Sequence, residues 1–252
     1  YSTNNGTSWS SSQPSPASSV TDVRAVGTSV AAGLIEGTSQ IYSSETTSAI
    51  PSSTFLANAG GDGYDAFFYE DYVFNIFHHK TFTAIMCHVK STSARCPGFS
   101  SAFYIDNFQS SMRSTGWVDA VTGRLYAIAT NSGHAWAVCL DVSTSTPSYC
   151  GATQLSTDSG INDYSHISEG VAAGRRFFGV ETAGTNSLIC YDAALGEKCP
   201  GTPINLVGQS TTGGGDMSLS RPAYMDGKLF VTTSSRLYCY IPETLATCAG
   251  SW

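Results

Sequence analysis

The eight cysteines of this chain form a regular series: Cys87/Cys96, Cys139/Cys150, Cys190/Cys199 and Cys239/Cys248. Partners stand 9, 11, 9 and 9 positions apart, and the pairs return about every 50 residues, the kind of period that marks solenoids, propellers and arrays. The last two-thirds of the chain is therefore one unit repeated four times, each with a local staple. A disulfide closing a loop of roughly ten residues contributes about 2–3 kcal/mol in the chain-entropy model. No CxxC or HxxxH spacing accompanies the cysteines, so the spacing speaks for disulfides over zinc.

The units align beyond their cysteines. One reads Gly123-Arg-Leu-Tyr-Ala-Ile-Ala-Thr, Ala135-Trp-Ala-Val-Cys-Leu-Asp-Val, a Ser/Thr/Pro turn, and Tyr149-Cys-Gly. The next reads Gly174-Arg-Arg-Phe-Phe-Gly-Val-Glu, Ser187-Leu-Ile-Cys-Tyr-Asp, a turn through Gly196, and Cys199-Pro-Gly. The last carries Gly227-Lys-Leu-Phe-Val-Thr-Thr, Arg236-Leu-Tyr-Cys-Tyr-Ile and Cys248-Ala-Gly, and the first diverges as Tyr72-Val-Phe-Asn-Ile-Phe-His-His, Thr83-Ala-Ile-Met-Cys-His-Val and Cys96-Pro-Gly. With upstream segments such as Gly116-Trp-Val-Asp and Arg221-Pro-Ala-Tyr-Met, each unit holds about four short strands rich in aromatic and β-branched residues. Four strands in about 50 residues make the blade of an all-β β-propeller, with the cysteines across its third and fourth strands. A blade cannot bury both faces alone, so neighbours must stack on it. Residues 64–252 supply four blades and residues 1–50 a fifth or a ring-closing segment, in one domain over 1–252. The alternative is part of a six- or seven-bladed ring.

Two resemblances support this. Ser2, Asn4, Gly6 and Trp9 match the Ser-x-Asp-x-Gly-x-x-Trp of the Asp-box (BNR) repeat, with Asn4 replacing the aspartate, and Ile41-Tyr-Ser-Ser-Glu is similar to the start of a degraded second copy. This motif is structural: an Asx side chain bonds nearby backbone, Gly takes the turn and the indole packs beneath. The Gly-x-Leu-Tyr and Leu-x-Cys-Tyr-Asp segments resemble PQQ-type and kelch-type repeats, a likeness that brings no quinone ligands and implies no cofactor.

Disulfides place the folded chain in an oxidising compartment, secreted or at the cell surface. Only 12% of residues are charged and the net charge is −7, which excludes nucleic acid as the expected partner. No apolar run reaches the roughly 18 residues of a membrane span, so no membrane insertion is expected. The abrupt opening at Tyr1, without Met or signal peptide, reads as a piece of a longer chain or assembly. Asn5-Gly6-Thr7 is a glycosylation sequon at Asn5.

Propeller function usually resides in loops at one end of the channel. The loops before each innermost strand read Gly63-Tyr-Asp-Ala, Gln109-Ser-Ser-Met-Arg-Ser, Asn162-Asp-Tyr-Ser-His-Ile-Ser and Gly215-Asp-Met-Ser-Leu-Ser. Asp163 aligns with Asp216, and Ser165 with Ser218 and roughly Ser111. Asp65, Arg113, Asp163, His166 and Asp216 are thus the candidate ligand-binding residues at a channel mouth; the competing reading has these side chains capping loop turns. His78-His79 at a hairpin tip, with His88 beyond, could contribute to a metal site only with further ligands. Asp62, Asp65, Glu70 and Asp71 around Gly60-Gly-Asp-Gly63 could hold calcium, although no EF-hand or nonapeptide spacing occurs.

Two function classes follow. One is a non-catalytic extracellular propeller, structural or adhesive, whose partner is a glycan or an extracellular protein. The other is a secreted glycoside hydrolase, as the Asp-box likeness to sialidases implies, using channel-mouth carboxylates such as Asp163 and Asp216. No Arg-Ile-Pro precedes the Asp-box, and no Gly-x-Ser-x-Gly, phosphate loop or zinc helix occurs, so an enzyme is the second choice. A lectin would repeat its pocket between blades, whereas an active site would break the repeat at one place.

Overall fold

The computed structural model of the protein describes residues 20–26, 30–35, 40–42, 49–51, 63–78, 82–89, 94–100, 102–110, 116–156, 167–168, 170–181, 186–206, 222–233 and 236–249. Every element among them is a β-strand. The N-terminal part gives two antiparallel pairs, β1 (Val20–Val26) with β2 (Val30–Ile35) and β3 (Gln40–Tyr42) with β4 (Ala49–Pro51). The Asp-box positions Ser2, Asn4, Gly6 and Trp9 and the sequon at Asn5 lie outside the described residues.

Four larger sheets follow, one per cysteine pair. Sheet I runs β5 (Gly63–Tyr69), β6 (Tyr72–His78), β7 (Phe82–Val89), β8 (Phe103–Asp106). In sheet II, β9 (Gln109–Ser110) and β10 (Gly116–Asp119) both pair with β11 (Arg124–Asn131), which is followed by β12 (His134–Asp141) and β13 (Ser148–Gln154). Sheet III runs β14 (Val171–Ala173), β15 (Arg176–Glu181), β16 (Ser187–Asp192), whose far edge takes β17 (Glu197–Lys198) and β18 (Ile204–Asn205). Sheet IV is β19 (Pro222–Met225), β20 (Lys228–Thr232) and β21 (Leu237–Tyr240), extended by a bridge from Tyr240 to Thr247. All pairings are antiparallel, and two-residue hairpins join β5 to β6, β11 to β12, β14 to β15 and β19 to β20. Ser132–Gly133 and Asp226–Gly227 take positive φ at both turn positions, the twist that suits such hairpins.

Period-2 alternation lets each sheet pack on two neighbours. On β11, Leu125, Ala127 and Ala129 join Phe74, Ile76 and Ile85 of sheet I in one core cluster. The intervening Tyr126 and Ile128 join Phe177, Ile189 and Tyr191 of sheet III. Phe178, Val180 and Leu188 then turn to Leu229 and Val231 of sheet IV. These side chains are almost fully buried, each contributing about 1.5–3 kcal/mol relative to exposure. Trp117 stacks on Tyr126 and Phe177, with centroids 5.8 and 6.2 Å apart. Close approach is built in at Gly179, where a Cβ would lie 2.5 Å from Ile128 Cδ1.

All four expected disulfides are formed. In sheets I, III and IV the two cysteines face each other one pair beyond the bridges His88–Arg95, Tyr191–Lys198 and Tyr240–Thr247, and the second cysteine's N–H donates to the first one's carbonyl. The strand then breaks off. Sheet II has the 11-residue spacing because its turn, 142–147, is two residues longer than 193–196 of sheet III; Cys150 itself sits in a β-bulge opposite Cys139, and the outer strand continues unbroken to Gln154. No helix of the described residues is long and apolar enough to cross a membrane.

Candidate functional site

Every sheet has an upper end, where its first strand begins, and a lower end, where its first strand turns into its second. The residues expected to line a channel mouth come, in the sequence, at or before the start of each sheet's first strand. Of them, Asp65 lies on β5 with its backbone opposite Ile76; Arg113, Asp163, His166 and Asp216 lie outside the described residues, as do Ser111, Ser165, Ser218, Asp62 and His79. Among the described residues no group of three or more His, Cys, Asp or Glu side chains is placed to hold a metal ion. His88 is resolved as a core residue. It is 1% exposed, neither ring nitrogen has a hydrogen-bond partner, and burial, with the Arg95 charge second, holds its pKa below the ordinary value.

Among the described residues a concavity lies at the lower end, between sheets I and II. It is a cleft of about 360 Å³. Its floor is Phe74, Phe99 and the Cys87–Cys96 disulfide, all buried. Half-buried Tyr69 and Tyr72 form one wall, Gly123 and Val142 the facing one, and exposed Pro97 and Ser143–Ser145 the rim. Why the chain folds this way is local. The Cys87–Cys96 staple pins the turn at Pro97–Gly98, and Gly98, at φ +81°, abuts the loop of the next sheet so closely that a Cβ would meet the Ser145 carbonyl. That loop is shaped by Asp141, whose Oδ1 accepts from the Ser143 N–H (3.0 Å) and Oγ–H (2.6 Å), while Thr144 Oγ1 donates to the Thr146 carbonyl (2.8 Å). The Ser143 bond is the main reason the Asp141 carboxyl sits below its usual range. The Tyr69 hydroxyl donates to Glu70, and its pKa is raised by burial first, then by the charges of Glu70 and Asp119.

The other two junctions are closed by arginine. Between sheets II and III, Arg175 reaches back to Asp119 with Nη2–Oδ2 2.7 Å and Nε–Oδ1 3.2 Å, and Nη2 also donates to the Ala193 carbonyl. Burial pushes Asp119 upward, but bonds from Arg175, Thr122 and the Val121 N–H outweigh it and leave the carboxyl below its ordinary value. Between sheets III and IV, Arg176 Nε donates to Asp192 Oδ2 (2.8 Å) and Nη1 to the carbonyls of Pro242 and Glu243, both 2.6 Å.

Register shows why the first junction differs. Phe74, Tyr126, Phe178 and Phe230 each pair with the first cysteine of their sheet. Two residues before them stand Tyr72, Arg124, Arg176 and Lys228. Sheet I alone has an aromatic ring where the others have a cation. Its counterpart in sheet II for Pro242 and Glu243 is Val142 and Ser143, one wall and rim of the cleft. The cleft therefore occupies the space that Arg176 spans two junctions further on. The sequence carried this signal in Gly-Arg-Leu-Tyr, Gly-Arg-Arg-Phe and Gly-Lys-Leu-Phe against Glu70-Asp-Tyr72-Val, but inter-sheet reach cannot be read from one strand.

No protein-family model matches the chain, and no curated protein matches it. Solved structures do. The Dos1 propeller superposes with a TM-score of 0.60 at 11% identity, over 94% of this chain and 59% of that one. A candidate 6-phosphogluconolactonase of Bacteroides fragilis gives 0.55 at 9% identity, over 90% and 67%, and one of Bacteroides uniformis 0.54 at 10%, over 90% and 68%. The chain thus spans about three-fifths of the first of these structures. At such identities the likeness establishes a β-propeller type of fold and leaves chemistry to the residues. Four disulfides suit an extracellular setting for it.

Proposed function

We propose that this chain is a non-catalytic binding module of a larger secreted or surface protein, a ring of about five blades whose ligand is a glycan or an extracellular protein. One observation carries the reading: stapled, mutually packed sheets frame a cleft among the described residues, lined by aromatic rings, a disulfide and hydroxyl side chains, with no carboxylate among its lining residues. Glycoside hydrolysis needs two carboxylates flanking the bond, and hydroxyls and ring faces by themselves bind. Asp65, Arg113, Asp163, His166 and Asp216 are the second proposed location, and calcium would bind with them.

The test is to apply the purified, fully oxidised chain to arrays of glycans and of extracellular proteins, with and without EDTA. Saturable binding to a defined class supports a module, and its loss in Asp163→Ala/Asp216→Ala moves the site to those residues. Release of product from any glycan overturns the non-catalytic reading, and silence on both arrays overturns the module.

A further inference from the structure

We propose that the cleft between sheets I and II is a binding site for a neutral saccharide. This rests on the reading of the chain as a binding module and names the ligand class and the location.

Three observations converge. First, none of the lining residues is itself charged, and the carboxylates behind them are already engaged, Glu70 by the Tyr69 hydroxyl and Asp141 by Ser143; an ionic ligand entering here would lose water for little direct counter-charge, a cost of several kcal/mol. Second, the wall and floor offer ring faces, Tyr69, Tyr72, Phe74 and Phe99, while the rim offers three consecutive hydroxyl residues, Ser143, Thr144 and Ser145, all exposed. A pyranose has the same division: an apolar C–H face and an edge of hydroxyls. Ser143 and Thr144 already donate their own protons, to Asp141 and to the Thr146 carbonyl, so their oxygens present lone pairs to sugar O–H donors. Third, a volume of about 360 Å³ falls at the small end of the roughly 300–1,000 Å³ typical of ligand sites, which fits one or two sugar rings and not a folded partner.

The position is also singular. At the equivalent junction between sheets III and IV, Arg176 occupies the gap and satisfies the Pro242 and Glu243 carbonyls. Tyr72 at the same register position replaces that bridge by a ring face and leaves the space open. The repeat itself therefore supplies the blocking variant: Tyr72→Arg installs what sheets II and III carry at this position, so the sheet retains a side chain compatible with its fold. Thr144→Trp, on the exposed rim, obstructs the mouth without touching the core.

The experiment is a calorimetric and NMR titration of the oxidised chain with neutral gluco-, galacto-, manno- and N-acetylglucosamine oligosaccharides, on wild type and both variants, with denaturation midpoints confirming folding. The expected result is binding that shifts the Tyr69 and Tyr72 ring resonances and weakens about tenfold or more in each variant. If Tyr72→Arg fails to fold, Thr144→Trp alone decides. Saccharide binding that survives a folded cleft variant, or a chain that binds only proteins on the arrays, overturns this site while the binding-module reading stands. Absence of any partner on both arrays brings down both.

Discussion

The junctions between sheets I and II and between sheets III and IV are built from the same parts: two middle strands, a third-strand cysteine and a stapled outer turn. At the second, Arg176 joins Asp192 of its own sheet to two carbonyls of the next. At the first, Tyr72 reaches no such partner and a cleft remains. The difference teaches that in a repeat fold the apolar faces decide that sheets stack, whereas one side chain at the sheet's end decides whether the seam is sealed or open. The staple is common to both and so cannot be what distinguishes them.

Removing staples should have the largest effect. Cys190→Ala/Cys199→Ala and Cys87→Ala/Cys96→Ala should each lower unfolding stability by about 2–3 kcal/mol, measured by urea denaturation under oxidising conditions. Only the second pair floors the cleft, so only its loss should also change saccharide binding; equal effects on binding would erase the contrast between the seams. Next comes Arg176→Ala, which strands the nearly buried Asp192 carboxylate and two carbonyls and should cost about 2 kcal/mol. Arg176→Tyr should open a second cleft at the cost of the same bonds, and a seam that stays sealed in its crystal structure would show that something besides this position closes it.

Acid should act on two buried groups in different windows. The buried His88 has its pKa lowered in the folded state from 6.5. The unfolded chain therefore takes up the proton first, stability is full above about pH 6.5 and declines as pH falls below it, toward the folded value. Asp119 at the arginine-bridged seam is also lowered, from 3.8; its contribution is present above that value and is lost as pH falls through the folded pKa. Midpoints measured across pH 7.5 to 3 should thus show an upper slope that His88→Leu removes and a lower one that Asp119→Asn removes. A His88→Leu chain that keeps the upper slope would break this assignment. The smallest effect belongs to the lower-end surface: Leu195, 57% exposed, should tolerate Ser within about 0.5 kcal/mol, and a larger loss would mean that a partner covers it.

Much of the architecture was legible from the cysteine period. Spacings of 9 residues place both cysteines one pair beyond the hairpin's last bridge, and strand content followed from runs such as Arg124–Asn131 and Ser187–Asp192. The 11-residue spacing also held a readable message, since two additional residues between the cysteines lengthen the turn of that hairpin. The site was less legible. Sequence reasoning favoured polar loops before each first strand, because Asp and Ser advertise chemistry, and it did not single out Tyr69, Tyr72 or Phe99. Phe74 and Phe99 are indeed buried, but Tyr69 and Tyr72 are only half covered, and the covering depends on a loop more than seventy positions away.

What the sequence by itself determined here is local: which segments extend, which cysteines meet and which face of each strand is apolar, since all three depend on spacings of two to eleven residues. The tertiary structure decided what lies between sheets. Whether Arg176 spans a gap, whether Gly98 meets Ser145, and whether Tyr72 looks into a cleft depend on the distance between separately folded hairpins. That distance is set by the packing of Leu125, Ala127 and their partners on a neighbouring sheet, a quantity no single strand encodes.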